Sequence, residues 1–367
     1  MNKYLKLIFI ALIVIFSLLL LSPFISLILP QKLTNRTYFR LLYHAIVDKE
    51  TSGVFTEDEK VLNLFNYVVS HEFAQGTPYK CKPAESLIYA EAYCDFQART
   101  LNALLGIAGI KSRYAMLLDK DGISPHTLNE VFIDGKWCVF DTTMNIIFTD
   151  DKGNKVTLEQ MSADPGLIVN NKKLIALKGY RIEEYENLLN LYSRMFPLPV
   201  QPRRSTPNVY QVHIFDRISD LYFKVFKYNF FNFYQDLYLK LKTVNFTKED
   251  ARLFFLARNY HLAYRMNLAQ NYYNRLLEKY PNSILAEDAI FFYGMFNFKN
   301  KNYNKAADFF NIILARYPGK WKSASYYYLG MFYKQTADKK EGFSAFYNTD
   351  INKLDAEEIE EYNKNKF

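Results

Sequence analysis

A chain of 367 residues, half of them apolar and 23% charged, is long enough for two or three domains with full cores and too apolar to be a disordered protein. The net charge is +8, but lysines are scattered through Asn-rich stretches instead of forming a basic arm, and no recognition motif accompanies them; nucleic acid is therefore not an expected partner. The 31 Phe and 30 Tyr, against 13 Gly, favour large packed surfaces over flexible loops.

The first residues, 1–31, read as a membrane anchor or a long signal sequence. From Leu5 to Pro30 the only charged residue is Lys6, and a run of about 20 apolar residues suffices for a helix to cross a bilayer. No small-residue cleavage pattern and no lipid-accepting Cys follows the run, which favours an uncleaved single-pass anchor. Lys3 and Lys6 before the run nearly balance Lys32, Arg36 and Arg40 after it. The expected arrangement has the N-terminus inside and the body exported to the periplasmic or extracellular side.

Residues 31 to 90 show short helical patterns such as KVLNLFNYVVSHEF and no self-contained chemistry; His71 has no acidic partner at a recognisable spacing. From Cys94, Ala98, Leu101, Leu105 and Ala108 form the stripe of an amphipathic helix that Gly109 ends as a C-terminal cap. Cys94 then sits at the helix start, where the positive end of the dipole and unpaired amides lower a thiol pKa and can stabilise an oxyanion. No N-cap residue stands just before it.

HTLNEVFI and KWCVFDTT flank Asp134-Gly135, a dipeptide suited to a two-residue hairpin turn. If Ile133 pairs with Lys136, Asp141 lies opposite Leu128 and diagonal to His126 on the same face, about 5–8 Å away at Cβ. A three-residue turn would put the two on opposite faces. Cys94, His126 and Asp141 are the residue types a thiol nucleophile, its base and the base's orienting partner require. Each also has an ordinary reading: a buried small residue, a half-buried strand residue and a turn cap. Of the three cysteines, Cys138 reads as buried in a strand, and Cys81 and Cys94 are either free thiols or a disulfide that would block the nucleophile.

Ala98, Leu104, Leu105, Gly109, Ile110 and Arg113 after Cys94, and Glu130, Val131, Asp134, Gly135, Trp137 and Asp141 after His126, form two patterns in order. Together they resemble the transglutaminase-like superfamily. The resemblance implies a papain-like α+β core with Cys94 as nucleophile, His126 as base and then acid, and Asp141 orienting the imidazole. No metal and no cofactor is expected. The departures are Leu128, where Trp is frequent, Ala92 and Tyr93 before the Cys, and Thr142 in place of Pro. They leave a second oxyanion donor unassigned.

The core is expected to span 32–196, and PLPVQPRRSTP, with four prolines in eleven residues, to form a stiff connector over 197–209. Beyond it, 210–350 begins with an aromatic stripe, DLYFKVFKYNFFNFYQDLYLKL, read as helix packing or as a membrane-interface face. Tyr280-Pro281 recurs at Tyr317-Pro318, and Gly294-Met-Phe at Gly330-Met-Phe, giving periods of 37 and 36 residues. Ala257, Gly294 and Gly330, then Ala269, Ala306 and Gly342, then Tyr273, Phe310 and Phe346 align in the copies. The small residues admit close helix approach and the aromatics fill the groove. This resembles tetratricopeptide repeats, which implies an all-α solenoid binding a peptide or partner protein. Residues 351–367 read as a polar tail. The expected function is a membrane-anchored thiol enzyme acting on amide bonds of a protein or peptide recruited by the repeats. The alternative is a non-catalytic scaffold of the same fold.

Overall fold

The computed structural model describes residues 3–28, 30–72, 83–208, 214–317, 319–336, 339–349 and 359–360. The chain divides into two compact units: Gly53–Asn208 with Lys248–Phe367, and Met1–Ser52 with Val209–Thr247.

In the larger unit, the alternating stretch after Ser112 becomes an antiparallel sheet of β1 (Ser112–Leu117), β2 (His126–Ile133), β3 (Lys136–Asp141), β4 (Ile146–Ile147) and β5 (Arg203–Arg204), in the order β4-β3-β2-β1-β5. Asp134 and Gly135 take φ values of 50° and 79°, the positive angles a two-residue turn matched to strand twist demands. Ile133 pairs with Lys136 and Asn129 with Phe140, so the register is that of the two-residue turn. α5 (Cys94–Ile107) lies against β1 and β2, with Asn129 Nδ2 donating to Ala98 O at 2.8 Å. Its end is sealed by Gly109 at φ 79°: the Ile110 and Gly109 amides reach the carbonyls of Leu105 and Gly106, and the helix cannot continue. α3 (Glu57–His71) packs on α5. Leu128, one residue from Asn129 and so on the other sheet face, joins Val139, Ile146 and Phe148 in a core closed by α6 (Leu158–Ala163), α7 (Gly166–Val169), α8 (Lys172–Tyr180) and α9 (Ile182–Ser193).

Within the stretch expected as a connector over 197–209, Arg203–Arg204 joins this sheet. Extended Pro-rich chain already has strand shape, and Arg203–Arg204 pairs with Met116 and Ala115 along the open edge of β1. Arg204 then reaches Glu130 Oε2 at 2.8 Å, and Asn208 accepts from the Ser112 amide at 2.6 Å. The two compact units divide at Asn208 and Val209, inside that stretch, and the edge strand lies just before the division.

The repeat region forms three helix pairs: α11 (Glu249–Leu262) with α12 (Met266–Lys279), α13 (Ala286–Lys299) with α14 (Tyr303–Arg316), and α15 (Lys322–Gln335) with α16 (Lys339–Tyr347). A Cβ placed on Gly294 would lie 2.7 Å from the Phe310 ring, and one on Gly330 2.6 Å from Phe346. In these two pairs the small residue and the aromatic thus occupy one another's space, as the spacing predicts.

In the smaller unit, α1 (Lys3–Ile28) and α2 (Gln31–Glu50) pack on α10 (Ile214–Thr243), which breaks at Lys227, where φ is 51°. Tyr38 stacks on Tyr238 with centroids 3.9 Å apart. Arg36 forks onto Asp216, and Arg40 and His44 bond Asp220. Residues 32–50, expected in the catalytic core, pack on the aromatic-rich helix and lie within the same compact unit. The expected single-pass span is not shown: among the described residues no helix is long and apolar enough to cross a membrane. The end of the apolar run is committed to intramolecular packing, with Phe24 edge-on to Phe230 and Phe233 and Ser26 Oγ 2.7 Å from Tyr234 Oη.

Candidate active site

Cys94 is the first residue of α5. Tyr93 before it is extended and offers no side-chain cap, and the Phe96 and Gln97 amides turn back to the Tyr93 carbonyl. An uncapped first turn keeps amides of Cys94 and Asp95 directed outward with the positive end of the helix dipole, at the half-buried thiol. His126 opens β2 and Asp141 closes β3, and the observed register makes them diagonal neighbours. Nε2 of His126 stands 2.7 Å from Asp141 Oδ2, with the two side chains 3% and 0% exposed. With Nε2 so engaged, Nδ1 is the nitrogen left for the hydrogen bond to the Cys94 thiol. All three sequence-predicted residues therefore meet in one chain of contacts.

Asp141 serves two purposes at once. Its Oδ1 accepts the Thr143 and Met144 amides at 3.0 Å each, which is the turn-capping reading of the residue. Its Oδ2 accepts from His126 and, at 2.6 Å, from the Tyr192 hydroxyl. Tyr192 lies in α9, fully buried, edge-on to both the His126 ring and Phe148. Sequence reasoning missed it, because Tyr185, Leu188 and Tyr192 fall on the buried side of one helix and look like core alone.

The electrostatics follow from this arrangement. Burial alone would raise the Asp141 carboxyl, but the charge and hydrogen bond of His126, with Tyr192 and the Met144 amide, hold it below the usual carboxylate value. Burial would lower His126; the carboxylate outweighs it, and the imidazole is pushed up to about 10. Burial would also raise the Cys94 thiol, yet the hydrogen bond and charge of His126, helped by Thr127, carry it below its ordinary value. Tyr192 is held well above its ordinary value by burial and by the Asp141 charge, so it stays a donor. These directions favour a thiolate beside an imidazolium.

Other candidates are placed elsewhere. Cys94 is a free thiol, Cys138 is a buried one that burial pushes up, and Cys81 lies outside the described residues. His71 is stacked on Tyr67, donates Nδ1–H to the Tyr67 carbonyl at 2.8 Å and accepts from Lys299 Nζ at 2.9 Å. Glu130, Arg113 and Trp137, three residues of the sequence patterns, form a structural knot. Buried Glu130 receives Arg113 and Arg204, both at 2.8 Å, and the Arg113 guanidinium lies 4.0 Å above the Trp137 ring. Among the described residues no group of His, Cys, Asp and Glu is arranged to hold a metal ion.

A family model described as the transglutaminase-like superfamily matches residues 44–142, a stretch that contains Cys94, His126 and Asp141 and stops before Tyr192 and the helix pairs. No curated protein and no solved structure matches the chain. The match supports a transglutaminase-like domain over that stretch, set in a mixed α and β fold with a five-stranded sheet and followed by a large helical region.

Proposed function

We propose that the chain is a cysteine-dependent amide hydrolase or acyltransferase acting on a protein or peptide. The observation that carries this reading is the Cys94–His126–Asp141 chain, in which the carboxylate is otherwise satisfied and the imidazole has one nitrogen left for the thiol. The Cys94 thiolate attacks the amide carbonyl carbon, and the C–S bond forms as the carbonyl pair moves onto oxygen. The outward amides of the first turn of α5 stabilise that oxyanion. His126 gives its proton to the departing nitrogen, the C–N bond breaks, and a thioester remains. Water or an amine then attacks, His126 takes its proton, and the thiolate leaves.

The pH dependence of Cys94 alkylation tests the reading, in wild type and in His126→Ala. A thiolate titrating below about 8.5 and lost in the variant is expected. An inert thiol in both would favour the non-catalytic scaffold.

Attachment to a bilayer through α1, with the body on the exported side, belongs to the same proposal. Leu7, Ile8, Phe9 and Ile10 are each more than half exposed, and four successive helical positions cover every face. Such a surface suits lipid better than a one-sided protein groove. Removing residues 1–23 is expected to release the protein from membranes; retention in the pellet would assign attachment elsewhere. Recruitment of the protein substrate by the helix pairs completes the proposal, supported by their solenoid spacing.

A further inference from the structure

Cys94 emerges from a turn that the helix pairs hold. α4 (Pro83–Tyr89) ends two residues upstream of Glu91, and its last carbonyls have no intrahelical partner. Arg258 of α11 supplies one: its Nη2 donates to Leu87 O at 2.7 Å and its Nε to Ile88 O at 2.8 Å. That guanidinium is 1% exposed and lies 3.6 Å above the Phe292 ring of α13. Ala90, the next turn residue, is fully buried with φ 54°, a conformation that a non-glycine residue keeps only when its surroundings impose it. Glu91 is then ion-paired with Lys320, at the entry to α15, and Lys320 also reaches Asp288 Oδ1 at 3.0 Å. Asp288 is fixed in turn by Trp321 Nε1 at 2.5 Å.

The second helix pair grips the other support of α5. Lys299, the last residue of α13, donates to His71 Nε2, and the next residue, Glu72, is bonded to the first turns of α5. Its carbonyl accepts from Gln97 Nε2 at 3.1 Å and its carboxylate from Thr100 Oγ1 at 3.0 Å and Ser86 Oγ at 2.5 Å. One basic side chain from each helix pair therefore fixes a segment that sets the position of Cys94.

We propose that the helical repeats are the foundation of the nucleophile as well as a recruiting surface, with Arg258 and Lys320 as positioning residues for Cys94; this rests on the thiol-enzyme reading above. Neither side chain touches the thiol. They act by holding the backbone from Leu87 to Glu91, and with it the angle at which Cys94 meets His126. A displacement of about an ångström at a reacting group is enough to lower a rate by up to about a hundredfold.

The test is the pH profile of iodoacetamide alkylation in the full chain, read on the Cys94 peptide by mass spectrometry. Lys320→Met is expected to lower the rate at neutral pH about threefold or more and to move the midpoint upward, with Lys320→Arg near wild type. Arg258→Gln, which leaves two buried carbonyls unpaired, is expected to lose about tenfold or more. A role in stability alone would lower the melting temperature and leave the alkylation profile of the folded protein unmoved. Where Arg258→Gln fails to fold, the Lys320 pair decides. A reactive wild-type thiol with an unchanged profile in the folded variants overturns this inference alone; a wild-type thiol as inert as Cys138 overturns it together with the enzyme reading.

Discussion

Three buried histidines, His126 at the sheet end and His71 and His261 beside cations of the helix pairs, end on opposite sides of the ordinary imidazole value. Burial lowers all three. At His71 and His261 the neighbouring cations, Lys299 and Arg258, lower the imidazole further, well below its ordinary value. At His126 the neighbour is the Asp141 carboxylate, and the imidazole rises to about 10. The sign of the nearest charge, and not burial, separates a structural imidazole from one able to shuttle a proton. The comparison can be broken most directly by changing that sign.

Asp141→Asn should therefore convert His126 to the class of His71. The amide keeps the shape but supplies no charge, so burial governs, His126 is neutral at pH 7, and the Cys94 thiol loses the cation that lowers it. Turnover is expected to fall by about 10³–10⁴-fold, the scale seen when a triad carboxylate is made neutral. The reactive limb of Cys94 alkylation should move to higher pH. An unchanged profile would mean that Asp141 does no more than cap its turn.

Tyr192→Phe sharpens the same comparison with a smaller effect. The carboxylate keeps its charge and its two amide donors but loses the 2.6 Å hydroxyl that fixes Oδ2. A reduction of about 10- to 100-fold in turnover is expected, as for other groups that orient a reacting side chain through an intermediary. Because Tyr192 is a donor at any accessible pH, the alkylation midpoint should move far less than in Asp141→Asn. An equal shift in both variants would make the hydroxyl part of the charge balance instead of an orienting contact.

These two variants mark what could be read in the sequence and what could not. The His126–Asp141 pairing was legible because a dipeptide turn and a period of two determine it over sixteen residues. The Gly109 stop of α5 and the Gly294–Phe310 and Gly330–Phe346 pairs were legible for the same reason, since each is a local spacing. Tyr192, Glu72, Arg258 and Lys320 were not. Each joins elements distant in the chain, and its type is equally suited to a core or a solvated face. The pairing of α2 with α10, through Arg36 to Asp216 and Arg40 to Asp220, was hidden by the 180-residue separation of those partners. Composition did not show that the Pro-rich stretch also supplies an edge strand at Arg203–Arg204, because that pairing depends on β1, some ninety residues earlier.

The smallest expected effect is on stability, and Cys94→Ala isolates it by removing the titration of the thiol. His71 and His261 have folded-state pKa values lowered from about 6.5, so their contribution is present above that value and is lost as pH falls below it, when the unfolded chain binds protons that the folded chain refuses. His126 has a raised value: its contribution is present below about 6.5 and is lost as pH rises toward 10, so it adds nothing to acid lability. Between about pH 6.5 and 5.5, above the carboxylate range, the histidines of this comparison should make Cys94→Ala lose stability with a slope of nearly two protons, each up to about 1.4 kcal/mol per pH unit. Adding Asp141→Asn should raise the slope toward three, since His126 then also refuses its proton when folded. Urea unfolding at closely spaced pH values measures both slopes. A slope unchanged by the second substitution would mean that His126 stays protonated without its carboxylate, and that the neighbouring charge is not what separates His126 from His71 and His261.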